Sequence, residues 1–373
     1  MAYDRTYKIL ATNIGSTSTK VAYFENEECV ASQTLRHDSA ELAACASIWD
    51  QLPIRQAAIE AFMAEQGISL DELDAISDRG GHSEPISGGV WRLNDAIRAQ
   101  NKSGEYGMHV GNIGFEIAHG LEVASDHAIA VTVDLNSTDE MGPLARYSGL
   151  PEIPRQSRLQ VLNQKAMARH YAESCGRAYE DMNLIVAMLG GGITIAAHEH
   201  GRMVDAANGL EGDGCFGNDR CNGVPVGELV RLCYSGRYTE AQMLRHINGE
   251  AGLRAYLGET DVRKLTELAE AGDAHVAEVL DAMCYQASKE IASQAAVLKG
   301  QVDAIVLTGG MANGAYLTSR IIERVGFIAP VAVLPGEREM ESLGVSAARA
   351  LAGLVPLQEL VPTQHTDYSV LEG

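Results

Sequence analysis

Residues 9–24 read ILATNIGSTSTKVAYF, and the fold is decided by what their centre does. Apolar and β-branched residues on either side predict strands at 8–13 and 21–26, with a third strand at 29–35. Between the first two, the chain gives up bulk for Asn13, Gly15, Ser16, Thr17 and Ser18, then places Lys20. A surface hairpin would use such residues. So would a phosphate cradle, where small side chains let phosphate oxygens reach backbone N–H groups and hydroxyls add donors. Taken alone the turn is a hairpin; its company changes the reading.

The same grammar returns about 175 residues later, in MNLIVAMLGGGITIAAHEHGRMVDA (182–206): strand, three glycines, strand, turn, strand. A pattern repeated without residue identity points to a duplicated domain. A third piece, VDAIVLTGGMANGAYLTSRIIERV (302–325), is a buried strand, a Gly309–Gly310 turn and a helix. That arrangement brings backbone to a ligand at the carboxyl end of a strand. No Walker frame and no ordered G-x-G-x-x-G is present. The set resembles the actin/hexokinase/Hsp70-like ATPase fold: α/β, two duplicated RNase H-like domains, and an interdomain cleft that clamps a nucleotide. The expected first domain is 1–165, completed by 342–373; the second, with the adenosine site, is 166–341. Residues 13–20 and 189–194 would face phosphates, and 308–314 the adenosine.

The 373 residues carry a net charge of −21, so neither nucleic acid nor an anionic membrane is an expected partner. Aromatics are scarce and glycines number 38, which suits closely packed helices and sheet better than an all-β sandwich. No apolar run approaches a membrane span and no signal peptide is evident, so a soluble, cytoplasmic protein is expected. Seven cysteines without a C-x-x-C pair read as reduced, mostly buried thiols; Cys215 and Cys221 lack the tight spacing of a zinc site. Helical periodicity runs through 40–66 with an interruption at Pro53, through 94–100, and through a long helix opened by Asp273 and ended by Gly300.

The ordered series NIGSTSTK, DRGG…PISGG, LNQKAMAR, EDMNLIVAMLGGGI, GRMVDAANGLEGDG, GVPVGELVRLCYSGRYT and LTGGMA resembles the acetate kinase family, and within it the butyrate kinases. The resemblance spans essentially the whole chain. It implies transfer of the ATP γ-phosphoryl group to a short-chain carboxylate, reversibly, with ATP/ADP and Mg²⁺, in a homo-oligomer. Physical chemistry agrees. A carboxylate is already ionised at neutral pH and needs no general base, but it must approach a triphosphate. Two unit charges ~4 Å apart repel by about 4 kcal/mol at an effective dielectric near 20. Cations must offset this and stabilise the in-line transition state.

By that resemblance, Arg79 of DRGG and Arg220 of NDRCNG would neutralise carboxylate and transferred phosphoryl group. His109 of MHVGNIG would donate to a phosphoryl oxygen, and Asp134 would hold Mg²⁺. Glu337 or Glu339 is the other metal candidate, and both stay open. Asn13, Gly15, Ser16, Thr17, Ser18 and Lys20 would contact phosphates with Gly190, Gly191 and Gly192, while Gly309, Gly310 and Asn313 take the adenosine. Several positions depart from the family. Met188 stands in place of a histidine, and Gln160 where butyrate kinases often carry another. His82 and Glu84 replace a leucine and a basic residue, and LNSTDE follows Asp134 in place of an apolar run. Two rival readings follow: a more polar or branched acid as acceptor, or a nucleotide-binding sensor that has lost catalysis.

Overall fold

The computed structural model describes residues 3–209, 212–361 and 368–371. Residues 210–211 of the GRMVDAANGLEGDG motif, and 362–367 and 372–373 of the expected C-terminal completion, lie outside the described residues. Twelve strands are described: β1 Lys8–Ile14, β2 Ser18–Glu25, β3 Glu28–Arg36, β4 Ala75–Asp78, β5 Val90–Arg92, β6 Ile129–Val133, β7 Asn183–Leu189, β8 Ile193–Glu199, β9 Arg202–Ala206, β10 Ala304–Gly309, β11 Val331–Pro335 and β12 Leu357–Gln358. The chain divides into two compact units. Unit 1 comprises Met1–Thr138, Val161–Ala166 and Arg338–Gly373; unit 2 comprises Asp139–Gln160 and Met167–Glu337.

The first sheet runs β12-β5-β6-β4-β1-β2-β3 and the second β11-β10-β7-β8-β9. Their cores are the same design. β1–β2–β3 and β7–β8–β9 are antiparallel meanders, while β1–β4–β6 and β7–β10–β11 are parallel. The duplication read from the two strand–turn–strand patterns is thus present as topology.

The central strands are mostly apolar because both faces of each sheet are covered, with polar residues gathered toward their carboxyl ends. On β1, Ile9 and Ala11 pack toward Leu343, Ala347 and Ala348 of the helix Glu339–Leu351, while Leu10 and Ile14 join the opposite core. Gly344 permits that helix to approach, since a Cβ there would lie 2.3 Å from the Phe24 ring. In unit 2, Ile185, Ala187 and Leu189 of β7 face the core built on the helix Ala274–Val297. Leu184 and Val186 face Ala168 and Ala172.

Three local expectations are refined. Pro53 does not interrupt a helix; it begins one, Leu52–Gln66, preceded by a short helix Ser39–Ala44. Proline fits the first turn because its missing N–H has no helical partner there. The long helix ends at Val297 with Leu298 as its cap, and Gly300 lies beyond it with φ 74°. The thiols are free, but only Cys215 and Cys284 are buried; Cys29, Cys175 and Cys233 are exposed.

Candidate active site

Register places the candidates of unit 1. Parallel pairing aligns Thr12 of β1, Asp78 of β4 and Thr132 of β6 in one row. The chain beyond that row carries Asn13, Arg79 and Asp134, so three of the expected residues leave the carboxyl edge of one sheet side by side. Open α/β sheets bind ligands at this edge.

Asn13 and Glu339 are both buried, and Asn13 Nδ2 donates to Glu339 Oε2 at 2.8 Å. Arg79 Nε lies 3.6 Å from the same carboxylate oxygen, and Arg79 Nη2 donates to Asn136 Oδ1 at 3.3 Å. Lys20 stands opposite Asn13 in the β1–β2 ladder, so the two share a face. The carboxylates left open by sequence separate clearly. Glu339 joins this cluster, while Glu337 is exposed and belongs to unit 2. Asp134 is buried with φ 44°, a conformation non-glycine residues seldom adopt; its Oδ1 accepts from Gly89 N at 2.8 Å. Ser16 and Thr17 lie exposed at the tip of the β1–β2 turn, which Gly15 N closes on the Ser18 carbonyl at 2.8 Å.

The DRGG turn is locked to the start of the helix Asn112–Ala124. Gly80 has φ 67°, and a Cβ there would lie 1.9 Å from the Phe115 ring; one on Gly81 would lie 2.1 Å from Asn112 Oδ1. Beneath the turn sits Asp78, wholly buried, accepting from Thr12 Oγ1 and, at 2.6 Å, from Gly80 N. Burial pushes its carboxyl pKa up to about 7. His109 Nδ1 accepts from Gly111 N at 3.0 Å, which leaves the proton of the neutral ring on Nε2 as an outward donor. Desolvation, then the positive charges of Arg79 and Arg55, lowers its pKa.

In unit 2, Gly190–Gly192 form the β7–β8 turn and Arg220 lies against it. A Cβ on Gly192 would be 2.3 Å from Arg220 Nη1, which donates to the Gly209 carbonyl at 2.8 Å. Gly309, with φ 89°, packs on the Leu189 backbone, where a Cβ would be 2.4 Å from the Leu189 carbonyl oxygen. The two glycine turns therefore adjoin. A cleft of about 680 Å³ opens between them, lined by Gly190, Gly191, Gly310 and Asn313 together with Asn218 and Asp261. Its size suits a small-molecule ligand.

Each arginine candidate keeps a buried Nε–H with no hydrogen-bond partner among the described residues, with a carboxylate only at ion-pair distance: Glu339 Oε2 at 3.6 Å from Arg79 Nε and Asp219 Oδ1 at 3.9 Å from Arg220 Nε. An unmet buried donor on a charged group costs more than ~1–3 kcal/mol, which an anionic acceptor would relieve.

The departures come in touching pairs. Met188 and Thr194 face one another across β7–β8, and Thr194 Oγ1 donates to Gln160 Oε1 at 3.2 Å. Glu84 is bound twice to Gln100: its N–H donates to Oε1 at 3.0 Å, and its Oε2 accepts from Nε2 at 2.9 Å. The Ser83 and Ser137 hydroxyls meet at 3.1 Å, and Ile86 bridges Thr138, so the HSE and NSTDE loops are tied together. Asp78, Asn136 and Arg55 were not anticipated. An arginine in register with Ile59 and Phe62 on a buried helix face was the available signal for Arg55.

A family model described as the acetokinase family matches residues 162–334. Butyrate kinase 2 of Clostridium acetobutylicum is 43% identical over 347 residues, covering 93% of this chain and 97% of that protein. The chain belongs to the acetokinase family. Among solved structures, the acetate kinase of Porphyromonas gingivalis superposes with a TM-score of 0.73 at 17% identity, covering 92% of this chain and 99% of that one. A propionate kinase from Francisella tularensis subsp. tularensis SCHU S4 gives 0.71 at 18%, covering 91% and 98%. These acetokinase-family folds are actin-like ATPase folds, and this chain shares their architecture of two related sheets.

Proposed function

We propose that the chain is a carboxylate kinase that moves the γ-phosphoryl group of ATP to a short-chain acid and runs the reverse from acyl phosphate and ADP. Butyrate is the preferred acid, a choice supported by the 43% identity to Butyrate kinase 2. The observation that carries the proposal is the setting of Arg79 and Arg220, two half-buried cations beside glycine turns whose Nε–H groups have no hydrogen-bond acceptor and reach a carboxylate only at ion-pair distance, Glu339 at 3.6 Å and Asp219 at 3.9 Å.

The chemistry follows from these residues. The acid is its own nucleophile, so no side chain must remove a proton. Arg79 and Arg220 offset the repulsion between carboxylate and phosphoryl oxygens and hold them in line. His109 donates Nε2–H to a phosphoryl oxygen while remaining neutral. The turns at Gly15–Lys20 and Gly190–Gly192 present backbone N–H groups and hydroxyls to phosphates. Gly309, Gly310 and Asn313 hold the adenosine in the unit 2 cleft.

For Mg²⁺ the donors fit: Asp134 and Glu339 are buried carboxylates leaving or facing the same sheet edge. Asp134 and Glu339 would hold the ion together with phosphate and water. Bound there, Mg²⁺ neutralises charge on the phosphates. Glu337 is left out of this set.

The Glu84–Gln100 pairing commits that carboxylate to its loop, which favours an alkyl acid over a polar one. Among the described residues no helix is long and apolar enough to cross a membrane. We place the enzyme in the cytoplasm by its likeness to Butyrate kinase 2, and as a homo-oligomer, the latter supported by exposed Leu144, Tyr147, Leu150 and Ile153 in one segment and Val226, Val230 and Tyr234 in another. The test is hydroxylamine trapping with ATP and Mg²⁺ over C2 to C6 acids. Butyryl hydroxamate is expected to form fastest; no acyl hydroxamate from any acid would overturn the proposal.

A further inference from the structure

Arg55, one turn into the helix Leu52–Gln66, is wholly buried. All five of its N–H donors are used. Nε and Nη2 donate to Gln51 Oε1 at 3.2 and 2.9 Å, and Nη2 also to the Ser16 carbonyl at 3.0 Å. Nη1 donates to the Ser18 carbonyl and to Thr19 Oγ1, each at 3.3 Å. Every acceptor is neutral, and among the described residues no carboxylate pairs with this guanidinium. Burying a full charge without a counter-ion costs several kcal/mol, and proteins seldom keep one without a compensating return.

The acceptors show where the return lies. Two of them, the Ser16 and Ser18 carbonyls, are backbone of the first phosphate loop, and a third, Thr19 Oγ1, is a side chain of that loop. Because the peptide unit is planar and trans, a Ser16 carbonyl turned in to Arg55 turns the Thr17 N–H outward, at the exposed tip. His37 N fixes the Thr17 carbonyl from the side at 3.1 Å. The charge is also felt beyond the loop: Arg55 contributes to the lowered pKa of both His37 and His109.

We infer that Arg55 is the built-in counter-charge of the first phosphate loop: a positioning residue that fixes the loop's carbonyls inward and supplies a permanent positive field to a nucleoside triphosphate on its outer side. The inference rests on the reading of residues 13–20 as a phosphate loop. It differs from that reading in assigning affinity to a side chain that touches no ligand. A structural tether would need only the hydrogen bonds; a counter-charge needs the charge.

The substitution Gln51→Glu separates the two. Gln51 Oε1 already accepts two of the five bonds, so a carboxylate there keeps every contact and cancels the charge. Melting temperature is expected to hold or rise. The Kd for ATP, measured by calorimetry on the full chain, is expected to weaken about tenfold, with KM for ATP rising in step, kcat changing less, and the salt dependence of binding flattening. Arg55→Lys, which keeps the charge but not the fork, should lose less ATP affinity than Arg55→Gln. Wild-type ATP affinity in the Gln51→Glu protein would overturn the inference, as would equal losses in the Lys and Gln variants. Failure of the unmodified protein to bind ATP would instead strike the kinase reading beneath it.

Discussion

Gly192→Ala tests the placement of Arg220 with one methyl group. The new Cβ would stand 2.3 Å from Arg220 Nη1 and 3.0 Å from Cζ. Ordinary contact begins near 3.4 Å, so the guanidinium must retreat by about 1 Å. That retreat breaks the 2.8 Å bond to the Gly209 carbonyl, which sets the direction of the fork. The backbone at Gly192 is not left-handed, and the obstructing atoms end a flexible side chain, so the fold should absorb the change within about 1 kcal/mol. Catalysis should not. A misplacement of ~1 Å in a group that aligns reactants costs on the order of 100-fold. The assay is initial rate by hydroxamate trapping at saturating ATP and butyrate, with thermal melting as the control for folding. The expected result is a kcat reduced about 100-fold with a melting temperature within a few degrees of wild type. An unchanged kcat would show that Arg220 does not act where its unmet Nε–H points, and the assignment of that residue would fall.

Three further outcomes are expected. Asp78 holds its proton up to about pH 7, whereas the unfolded chain releases it near 3.8, so folding stability falls as pH rises from about 4 to about 7 and is level above. The full span is worth about 4 kcal/mol, and Asp78→Asn, which can keep both hydrogen bonds, should gain stability over wild type between urea melts at pH 5 and pH 8; parallel behaviour of the two proteins would refute this. His109, whose pKa lies below 6.5 and whose Nε2–H is present in both protonation states, should give a rate profile without a step at 6.5, and His109→Ala should lower kcat by roughly 100-fold. Loss of stability from protonating this ring is confined to pH below 6.5, where Nδ1 ceases to accept from Gly111. Glu84→Gln should leave the preference for butyrate over hydroxylated acids unaltered, because the carboxylate is held by Gln100; a tenfold shift toward butyrate would place that charge against the acyl chain.

The strand–turn–strand units were legible because strands covered on both faces must be continuously apolar, and the turns between them had no room for bulk. Arg79 and Arg220 stood out in the sequence as cations in glycine-rich loops, and His109 as a histidine just before a helix. Arg55 and Asp78 were not, since their importance comes from burial by residues far along the chain. Asp78 looks like an ordinary acid at the mouth of a loop until Thr12, 66 residues away, pairs with it and Gly114 closes over it. Glu337 and Glu339 could not be told apart by spacing. One residue, Arg338, separates them, yet the chain passes from one unit to the other between them.

The departures from the family pattern are the sharper lesson, because sequence counts them as independent losses. If each missing donor cost ~2–4 kcal/mol, the product would leave little catalysis. In the fold they are not independent. Met188 and Gln160 both meet Thr194, one across the strand pair and one through its hydroxyl. His82-Ser83-Glu84 and Asn136-Ser137-Thr138 meet through Ser83–Ser137 and the Ile86–Thr138 bridge. Changes that touch are expected to couple, and coupled changes do not add. The polar 82–84 loop meets the polar 136–138 loop, and the Thr194–Gln160 pair stands across the strand pair from Met188. Neither set of changes removes Arg79, Arg220 or the unmet Nε–H that each presents. The departures therefore read as two local contacts, one in each unit, and a second-site change should be tested with its partner: Met188→His alone should gain less activity than Met188→His with Gln160→His.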